Sequence, residues 1–479
     1  MVAMTSIHEW TGEPGVLITW NPSPASRAKA QQAPVSDVPV SYQQAQHMAA
    51  FLAHRAGGTD MARLNVPAWD IPGRCDIRTM THVINNYLRR HDTYHSWFEH
   101  VGGDEFVRHT ITNPRDIKFV PTEHGMVTAE QWRDHVLATP GPLTWDCFHF
   151  GIIQREDHFT IYISVDHVHT DAMFMAQAFG EIHLMYQALV SGAPPLPLPQ
   201  AGSYNDYCRR QRAYTDSLTV TSQEVRDWIE FARSNGGTLP RFPLPLGDPS
   251  EPYTGELLTV QLMDAEQTDR FERACLEAGA RISGGVMAAA AFAEYELTGS
   301  QTYNTVTPTT TRRTPEEFMT TGWFTGVVPI SISVVPSSFG QTALAAQKAF
   351  DGGMDLAHVP FERVVELAGE LGVHKGGPGA QMLSFLDAGL PPLSADIIGR
   401  WKALNGRIFT DSRAAFQVGM WVNRMQETTV TVAFPSNPIA RESVQRYVEL
   451  MRAVFLRFAE GGDEAVAAGL GAGVGLKSA

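Results

Sequence analysis

The chain has 479 residues and a formal net charge of −14 at pH 7. This length exceeds that of one ordinary domain and suffices for two domains, each with a sizeable core. The acidic balance argues against nucleic acid as a partner, because phosphate binding requires a basic surface. Hydrophobic residues make up 43% of the chain, which is typical of a globular protein and argues against general disorder.

The cysteines and the apolar segments indicate the compartment. Neither a zinc ribbon nor a redox dithiol is predicted, because the four cysteines are scattered without a CxxC pair: Cys75, Cys147, Cys208 and Cys275. Few, dispersed cysteines are typical of reduced thiols in the cytosol. No signal peptide or apolar stretch of transmembrane length is visible. We therefore predict a cytoplasmic protein and leave open a peripheral association with the inner face of the plasma membrane.

Capping signals predict the helices of the N-terminal part. Residues 1–40 are punctuated by Pro and Ser, with a short strand predicted near 16–20. Ser41 and Asp76 each precede a helical pattern and are good N-cap residues. Thr128 and Gln131 have the spacing of a capping box, which predicts a third helix through residue 137.

A β-hairpin is predicted over residues 147–166. Residues 147–154 are mostly apolar, and the polar residues 155–157 suit a turn. From His158 to Val165, apolar and more polar side chains alternate with the two-residue period of a strand. Helical spacing resumes over 172–190.

Proline-rich stretches at 194–200 and 239–249 suggest a division of the chain. We predict an N-terminal lobe over 1–200, a C-terminal lobe over 201–460 and a flexible Gly/Ala-rich tail over 461–479. The second lobe mixes predicted strands at 255–262, 302–308, 324–335, 416–424 and 427–434 with predicted helices at 264–279, 284–298, 340–351, 359–370 and 441–459. The fold class predicted is therefore mixed α/β.

The segment SVDHVHTDA (164–172) carries the candidate chemistry, in an HxxxD pair formed by His167 and Asp171. Spacing alone is a weak signal, since His100 and Asp104 share it. His167, however, ends a strand of buried character and precedes a helix, where a side chain is held rigidly. A histidine suits general-base catalysis near neutral pH. The alternative is a structural histidine followed by an aspartate that caps the loop.

The same residues permit a metal site. HxHxD, from His167 to Asp171, begins a metallo-hydrolase pattern that binds zinc. The sixth position of that pattern is Ala172 instead of histidine, and after His183 the next histidines are His358 and His374. A zinc-dependent hydrolase therefore stays an alternative with an incomplete ligand set.

The chain resembles the condensation-domain superfamily, whose motif HHxxxDG is matched here by DHVHTDA (166–172), with Asp166 for the first histidine and Ala172 for the glycine. Further landmarks follow in the family's order: SYQQAQ (41–46), RRHDT (89–93), YNDY (204–207) and GWFTGVVP (322–329). More narrowly, the chain is similar to mycobacterial polyketide-associated acyltransferases that acylate trehalose, through stretches such as TWDCFHFGIIQ (144–154), TRRTP (311–315) and MWVNR (420–424).

This resemblance implies two chloramphenicol-acetyltransferase-like lobes in a V, each a mixed sheet flanked by helices. It implies that a long-chain acyl group moves from acyl-CoA, or from the acyl carrier domain of a polyketide synthase, to a hydroxyl of trehalose. His167 would be the general base, and no metal or cofactor would be needed. Asp171 would pair with an arginine of the other lobe, at Arg312 or the adjacent Arg313.

Residues near the motif are predicted to contact substrate. Asp166 and His169 flank the base, and Trp323 and Phe324 would line an apolar channel for the acyl chain. Each has a simpler interpretation as a core residue. Two further functions remain open: a non-catalytic binding protein, to which the change at Ala172 points, and a condensation enzyme with an amine acceptor.

Overall fold

The computed structural model describes residues 4–194, 197–251, 253–377, 379–387, 395–411 and 417–473. The chain divides into two compact units. Unit 1 comprises Met1–Ser217, Arg312–Phe324 and Leu390–Arg413, and unit 2 comprises Leu218–Thr311, Thr325–Gly389 and Ala414–Ala479. The division differs from the predicted boundary at residue 200, because unit 1 extends to Ser217 and takes in two later segments.

The elements up to residue 217 all belong to unit 1. They are, in chain order, β1 (Met4–Ser6), β2 (Gly15–Pro22), α1 (Pro24–Gln31), α2 (Tyr42–Ala56), β3 (Leu64–Pro72), α3 (Ile77–Arg90), β4 (Ser96–Gly102), β5 (Glu105–Thr110), β6 (Phe119–Val127), α4 (Ala129–Leu137), β7 (Phe148–Gln154), β8 (His158–Asp166), α5 (Phe174–Ala178), α6 (Leu184–Val190) and α7 (Tyr204–Ser217). A π-helical turn, Phe179–His183, joins α5 to α6.

The remaining elements belong to unit 2, except α11, α14 and β13. They are α8 (Gln223–Ser234), β9 (Gly255–Met263), α9 (Ala265–Glu277), α10 (Ile282–Thr298), β10 (Thr302–Thr310), α11 (Pro315–Phe318), β11 (Thr325–Ser333), α12 (Phe339–Gly353), α13 (Phe361–Ala368), β12 (Gln381–Asp387), α14 (Ala395–Ala403), β13 (Arg407–Thr410), β14 (Val418–Arg424), β15 (Thr428–Pro435) and α15 (Pro438–Gly473).

Unit 1 is built on a mixed sheet with the strand order β1-β13-β3-β8-β7-β2-β6 among its described residues. The predicted hairpin is confirmed, since β7 and β8 pair antiparallel. β3, which the sequence did not reveal, pairs with the other edge of β8 and sets Leu64 opposite Asp166. β8 is buried after its first residue. One end of a central strand therefore carries the HxxxD motif.

The predicted caps of unit 1 are confirmed. The Ser41 side chain accepts a hydrogen bond from the Gln44 amide, and Gln44 returns the bond as in a capping box. Asp76 caps α3, and Thr128 with Gln131 caps α4. These hydrogen bonds satisfy amide groups that the first turn of a helix leaves unpaired.

Unit 2 has a second mixed sheet, with the described strands in the order β11-β10-β12-β14-β15-β9. Its core includes residues 288–293 of α10, which are five alanines and Phe292, all fully buried. The mixed α/β fold with a sheet in each unit is thus as predicted.

The last helix, α15, continues to Gly473, beyond the predicted start of a tail at 461. The added residues are rich in alanine, the best helix former. Residues 474–479 lie outside the described part.

The described residues form α-helices of 4 to 36 residues. None of them is both long and apolar enough to cross a bilayer.

Candidate active site

His167 stands at the end of β8, in a short 3-10 turn over His167–His169. The Asp166 carboxylate caps this turn by accepting a hydrogen bond of 3.0 Å from the Val168 amide. The His167 amide donates to the carbonyl oxygen of Arg63 at 2.7 Å. The backbone on both sides of the histidine is therefore fixed.

The ring of His167 lies against Trp323, with 4.0 Å between the ring centroids. Its Nδ1 is buried and finds no hydrogen-bond partner within the described residues. Burial lowers the pKa of His167 to about 4, and electrostatic repulsion from His47 acts in the same direction. The residue keeps some exposure to solvent. His167 is thus a neutral, accessible imidazole at pH 7, the form that accepts a proton.

Asp166 is completely buried and accepts three hydrogen bonds. Its Oδ1 accepts from His47 Nε2 at 2.7 Å and from the Val168 amide, and its Oδ2 accepts from Arg63 Nη1 at 3.0 Å. Burial would raise the pKa of Asp166, but His47, Arg63 and the amide together lower it below its ordinary value. The aspartate at the family's first-histidine position is therefore a charged anchor for the turn.

Asp171 and Arg312 form a buried ion pair. Asp171 Oδ2 lies 2.6 Å from Arg312 Nη1, and Oδ1 lies 3.3 Å from Nη2. Asp171 also accepts hydrogen bonds from the Phe324 and Met173 amides. The neighbouring Arg313 is exposed, so the geometry selects Arg312 from the two candidates. Arg312 belongs to the same unit as Asp171, and not to a second unit as the resemblance implied.

The segment Arg312–Phe324 joins unit 1 through several hydrogen bonds. Gln177 Nε2 donates to the carbonyl oxygen of Phe318 at 2.7 Å. The Thr321 amide donates to His91 Nδ1 at 3.2 Å, and the Thr321 hydroxyl bonds that of Tyr87 at 3.0 Å. These contacts hold Arg312 and Trp323 where they meet Asp171 and His167.

The RRHDT stretch supports the same region. His91 Nε2 lies 3.1 Å from Glu181 Oε2, and Arg90 Nε donates to the other oxygen of that carboxylate at 3.2 Å. Asp92 accepts a hydrogen bond of 2.8 Å from the Tyr204 amide at the start of α7. Thr93 bonds His169 Nδ1 at 2.9 Å. The family landmark is therefore structural in this chain and connects α3 to elements far along the sequence.

Of the four predicted substrate contacts, Asp166 and Trp323 adjoin His167, whereas His169 and Phe324 are buried in packed clusters. His169 is 1% exposed, and burial lowers its pKa to about 3. Phe324 packs with Tyr204 and lies beneath the guanidinium of Arg312, 4.3 Å from it. Both face the interior of unit 1.

Sequence reasoning missed several residues that support the turn. Gln44 Nε2 donates to the Val168 carbonyl oxygen at 3.0 Å, and its Oε1 accepts from the buried Arg108 at 2.8 Å. Ser41, Gln44 and His47 follow one another at intervals of three residues, which places them on one face of α2. That spacing was a signal in the sequence, whereas nothing near Arg63 or Arg108 marked them.

The HxHxD residues do not form a ligand cluster. In the described part of the chain, no three His, Cys, Asp or Glu side chains gather as they would around a metal ion. His167 faces Trp323, but His169 packs against Tyr94. Ala172 is exposed and has no left-handed backbone angle, so an alanine fits here where the family has glycine.

A family model described as "Condensation domain" matches residues 64–373. The chain is 54% identical over 463 residues to the trehalose-2-sulfate acyltransferase PapA2 of Mycobacterium tuberculosis, covering 96% of this chain and 98% of that protein. From the same organism, the acyltransferase PapA3 is 49% identical over 460 residues, covering 96% and 97%. The 2'-acyl-2-O-sulfo-trehalose (hydroxy)phthioceranyltransferase PapA1 is 50% identical over 461 residues, covering 96% and 89%.

Solved structures are similar over most of the chain. A PapA2 acyl transferase structure superposes with a TM-score of 0.93 at 54% identity, covering 96% of this chain and all of that one. A condensation domain from the monacolin K polyketide synthase MokA gives 0.66 at 15% identity, covering 89% of this chain and 98% of that domain. At such low identity the second match concerns the fold alone.

Proposed function

The chain belongs to the condensation-domain family, as its motifs predicted, and we propose that it is an O-acyltransferase that moves a long-chain acyl group from a thioester to a hydroxyl of trehalose or of a trehalose glycolipid. The acyltransferase class is common to relatives at 49% to 54% identity. The printed names of PapA2 and PapA1 both specify trehalose derivatives as substrates of those proteins. These names support an acceptor of the same class here.

One observation carries the assignment of the base: His167 is a neutral imidazole, partly open to solvent, on a turn fixed from both sides. Its Nδ1 is buried, so Nε2 is the nitrogen left for substrate. An imidazole that is already deprotonated at pH 7 accepts a proton without prior ionisation. Asp171 and Arg312 hold the following loop and do not react.

The proposed reaction is direct acyl transfer. Nε2 of His167 takes the proton of a sugar hydroxyl while that oxygen bonds to the thioester carbonyl carbon. The tetrahedral intermediate then breaks its carbon–sulfur bond, and the proton passes from His167 to the departing thiolate, which leaves as a thiol. General-base catalysis of this kind contributes on the order of 10²- to 10⁴-fold, and the placement of the two substrates adds to it.

The proposed reaction also needs an acyl donor and a cellular location. The donor is an acyl-CoA or the acyl carrier domain of a polyketide synthase, and the transfer uses no cofactor. The location is the cytoplasm, at or near the inner face of the plasma membrane, where a lipid product would leave. Cys75, Cys147, Cys208 and Cys275 are free thiols, which suits a reducing compartment.

The test combines purified protein with palmitoyl-CoA and either trehalose or trehalose-2-sulfate, and follows acylated sugar by mass spectrometry. His167→Ala is compared with His100→Ala, a matched control because His100 heads the other HxxxD pair and is exposed. We expect product from the wild type and from His100→Ala, and a loss of at least about a hundredfold in His167→Ala.

Each other outcome has a definite meaning. Wild-type rates in His167→Ala would exclude His167 as the base. A folded wild-type protein that binds acyl-CoA in calorimetry but yields no acyl sugar with either acceptor would favour the non-catalytic binding protein. Faster acylation of an amine than of both sugars would favour the amine-acceptor reaction.

A further inference from the structure

His47 lies within the candidate active site although no sequence motif marked it as functional. It is one turn after Gln44 on α2 and is 8% exposed. Its Nε2 bonds the buried carboxylate of Asp166 at 2.7 Å. The centroid of its ring is 6.1 Å from that of His167. A second imidazole therefore adjoins the proposed base.

His47, His167 and Trp323 form a group of three rings. The Trp323 centroid is 5.5 Å from that of His47, in an edge-to-face contact, and 4.0 Å from that of His167. Edge-to-face contact is a favoured arrangement of aromatic rings. The indole therefore packs against both imidazoles.

Asp166 connects the two histidines through the backbone. Its Oδ1 accepts from His47 Nε2 and from the Val168 amide, which is the next residue after His167. Arg63 holds Oδ2 and also donates to the carbonyl oxygen of Pro140. The carboxylate is thus held at both oxygens, and His47 is one of three donors that orient the turn.

The charged groups around His167 come from each element that packs against it. α2 supplies His47, the end of β8 supplies Asp166, and the loop after the turn supplies Asp171. Asp166 is neutralised by Arg63, and Asp171 is neutralised by Arg312. His169 on the same turn faces the opposite, buried side. His47 shares the Asp166 carboxylate with Arg63, at 2.7 Å and 3.0 Å respectively.

We propose that His47 is a positioning residue of the acyl-transfer site: its bond to Asp166 and its contact with Trp323 orient the His167 ring. This inference rests on the proposed function of His167 as the base. Burial is the main reason for the low pKa of His167, and electrostatic repulsion from His47 is the next cause.

Two variants separate the charge of His47 from its hydrogen bond. In His47→Gln, the amide nitrogen can donate to Asp166 where Nε2 does, but it carries no charge. In His47→Ala, the bond, the ring contact and the charge are all lost. His158→Gln is the matched control, because His158 also bonds an aspartate, Asp157. It lies at the other end of β8, and the rise of a strand puts it roughly 26 Å from Asp166.

The experiment uses the full chain with isotope-labelled histidine. The titration of His167 is followed by NMR, with its signal assigned by comparison with His167→Ala, and kcat and KM are measured against pH. In His47→Gln we expect His167 to titrate at higher pH and the acidic limb of kcat/KM to move upward by about one pH unit. In His47→Ala we expect kcat to fall about tenfold with little change in KM. His158→Gln should match the wild type.

The inference is overturned if His47→Ala keeps the kcat of the wild type and the titration of His167 is unchanged in both His47 variants. That failure is distinguishable from failure of the proposed function. If His167→Ala retains activity, the base is another group, yet the NMR titration still reports on the contact between the two histidines.

Discussion

Arg312 and Asp171, which are 141 residues apart in sequence, are joined by hydrogen bonds of 2.6 and 3.3 Å, with side chains 0% and 2% exposed. The guanidinium also donates to the carbonyl oxygens of Glu317 and Thr320. A charge so deeply buried is stable only while its partner and hydrogen bonds remain. The pair therefore couples the loop after His167 to the segment that carries Trp323.

Arg312→Ala should destabilise the protein strongly, because it leaves the Asp171 carboxylate buried without its counter-ion. Removing one partner of a buried pair costs about 3–5 kcal/mol. The measurement is the free energy of unfolding in urea. Arg313→Ala is the control, since Arg313 is exposed, and it should change that free energy by less than about 0.5 kcal/mol. Equal effects of the two substitutions would contradict the structural role of the pair.

Gln44→Ala should reduce both stability and kcat. The substitution leaves the Val168 carbonyl oxygen without its Gln44 donor and removes one of three acceptors of the buried Arg108 Nη2, at about 1–3 kcal/mol of unfolding free energy. Because Val168 follows His167 in the turn, a shift there misaligns the base and lowers kcat by up to about a hundredfold. Gln46→Ala, at an exposed position of the same helix, should leave both quantities unchanged. A stability loss at full kcat would mean that Gln44 does not position the turn.

Trp323→Ala should move the pH dependence of the reaction. Burial is the main cause of the low pKa of His167, and the indole against that ring supplies part of it. Without the indole the ring is better hydrated, so its pKa rises and the acidic limb of kcat/KM moves to higher pH. Trp97→Ala removes a tryptophan that stacks on His109 at 4.1 Å and should keep the wild-type profile. An unchanged limb in Trp323→Ala would show that other groups desolvate the histidine.

Stability should fall with acidification from about pH 6.5, the pKa of an unfolded histidine. Burial lowers the pKa of His169 to about 3, so the unfolded chain binds a proton in this range and the folded chain does not. The free energy of unfolding is therefore highest above pH 6.5, and His169 lowers it by about 2 kcal/mol between pH 6.5 and 5. Urea unfolding at the two pH values measures it.

In His169→Gln the side chain cannot take up a proton, so the free energy of unfolding should fall by correspondingly less between pH 6.5 and 5. His100→Gln, at an exposed position, should lose as much stability as the wild type. If His169→Gln has the full wild-type pH dependence, His169 is not the group responsible.

Local signals predicted the parts of the fold that depend on neighbouring residues. The caps at Ser41, Asp76 and Thr128 and the β7–β8 hairpin follow from hydrogen bonds and side-chain periodicity over a few residues. Strand β3 had no such signal, since proline and polar residues interrupt its apolar pattern. Pairing with β8 forms it.

Ordered motifs and short-range periodicity are properties of the chain alone, so they were enough to predict the family, the mixed α/β class and the positions of His167 and Asp171. Contacts between distant segments established which arginine meets Asp171, that His169 and Phe324 face the interior, and that His47 and Arg63 anchor Asp166 from 119 and 103 residues away. Burial and ion pairing depend on residues that are distant in sequence and become neighbours only when the sheet and its helices assemble.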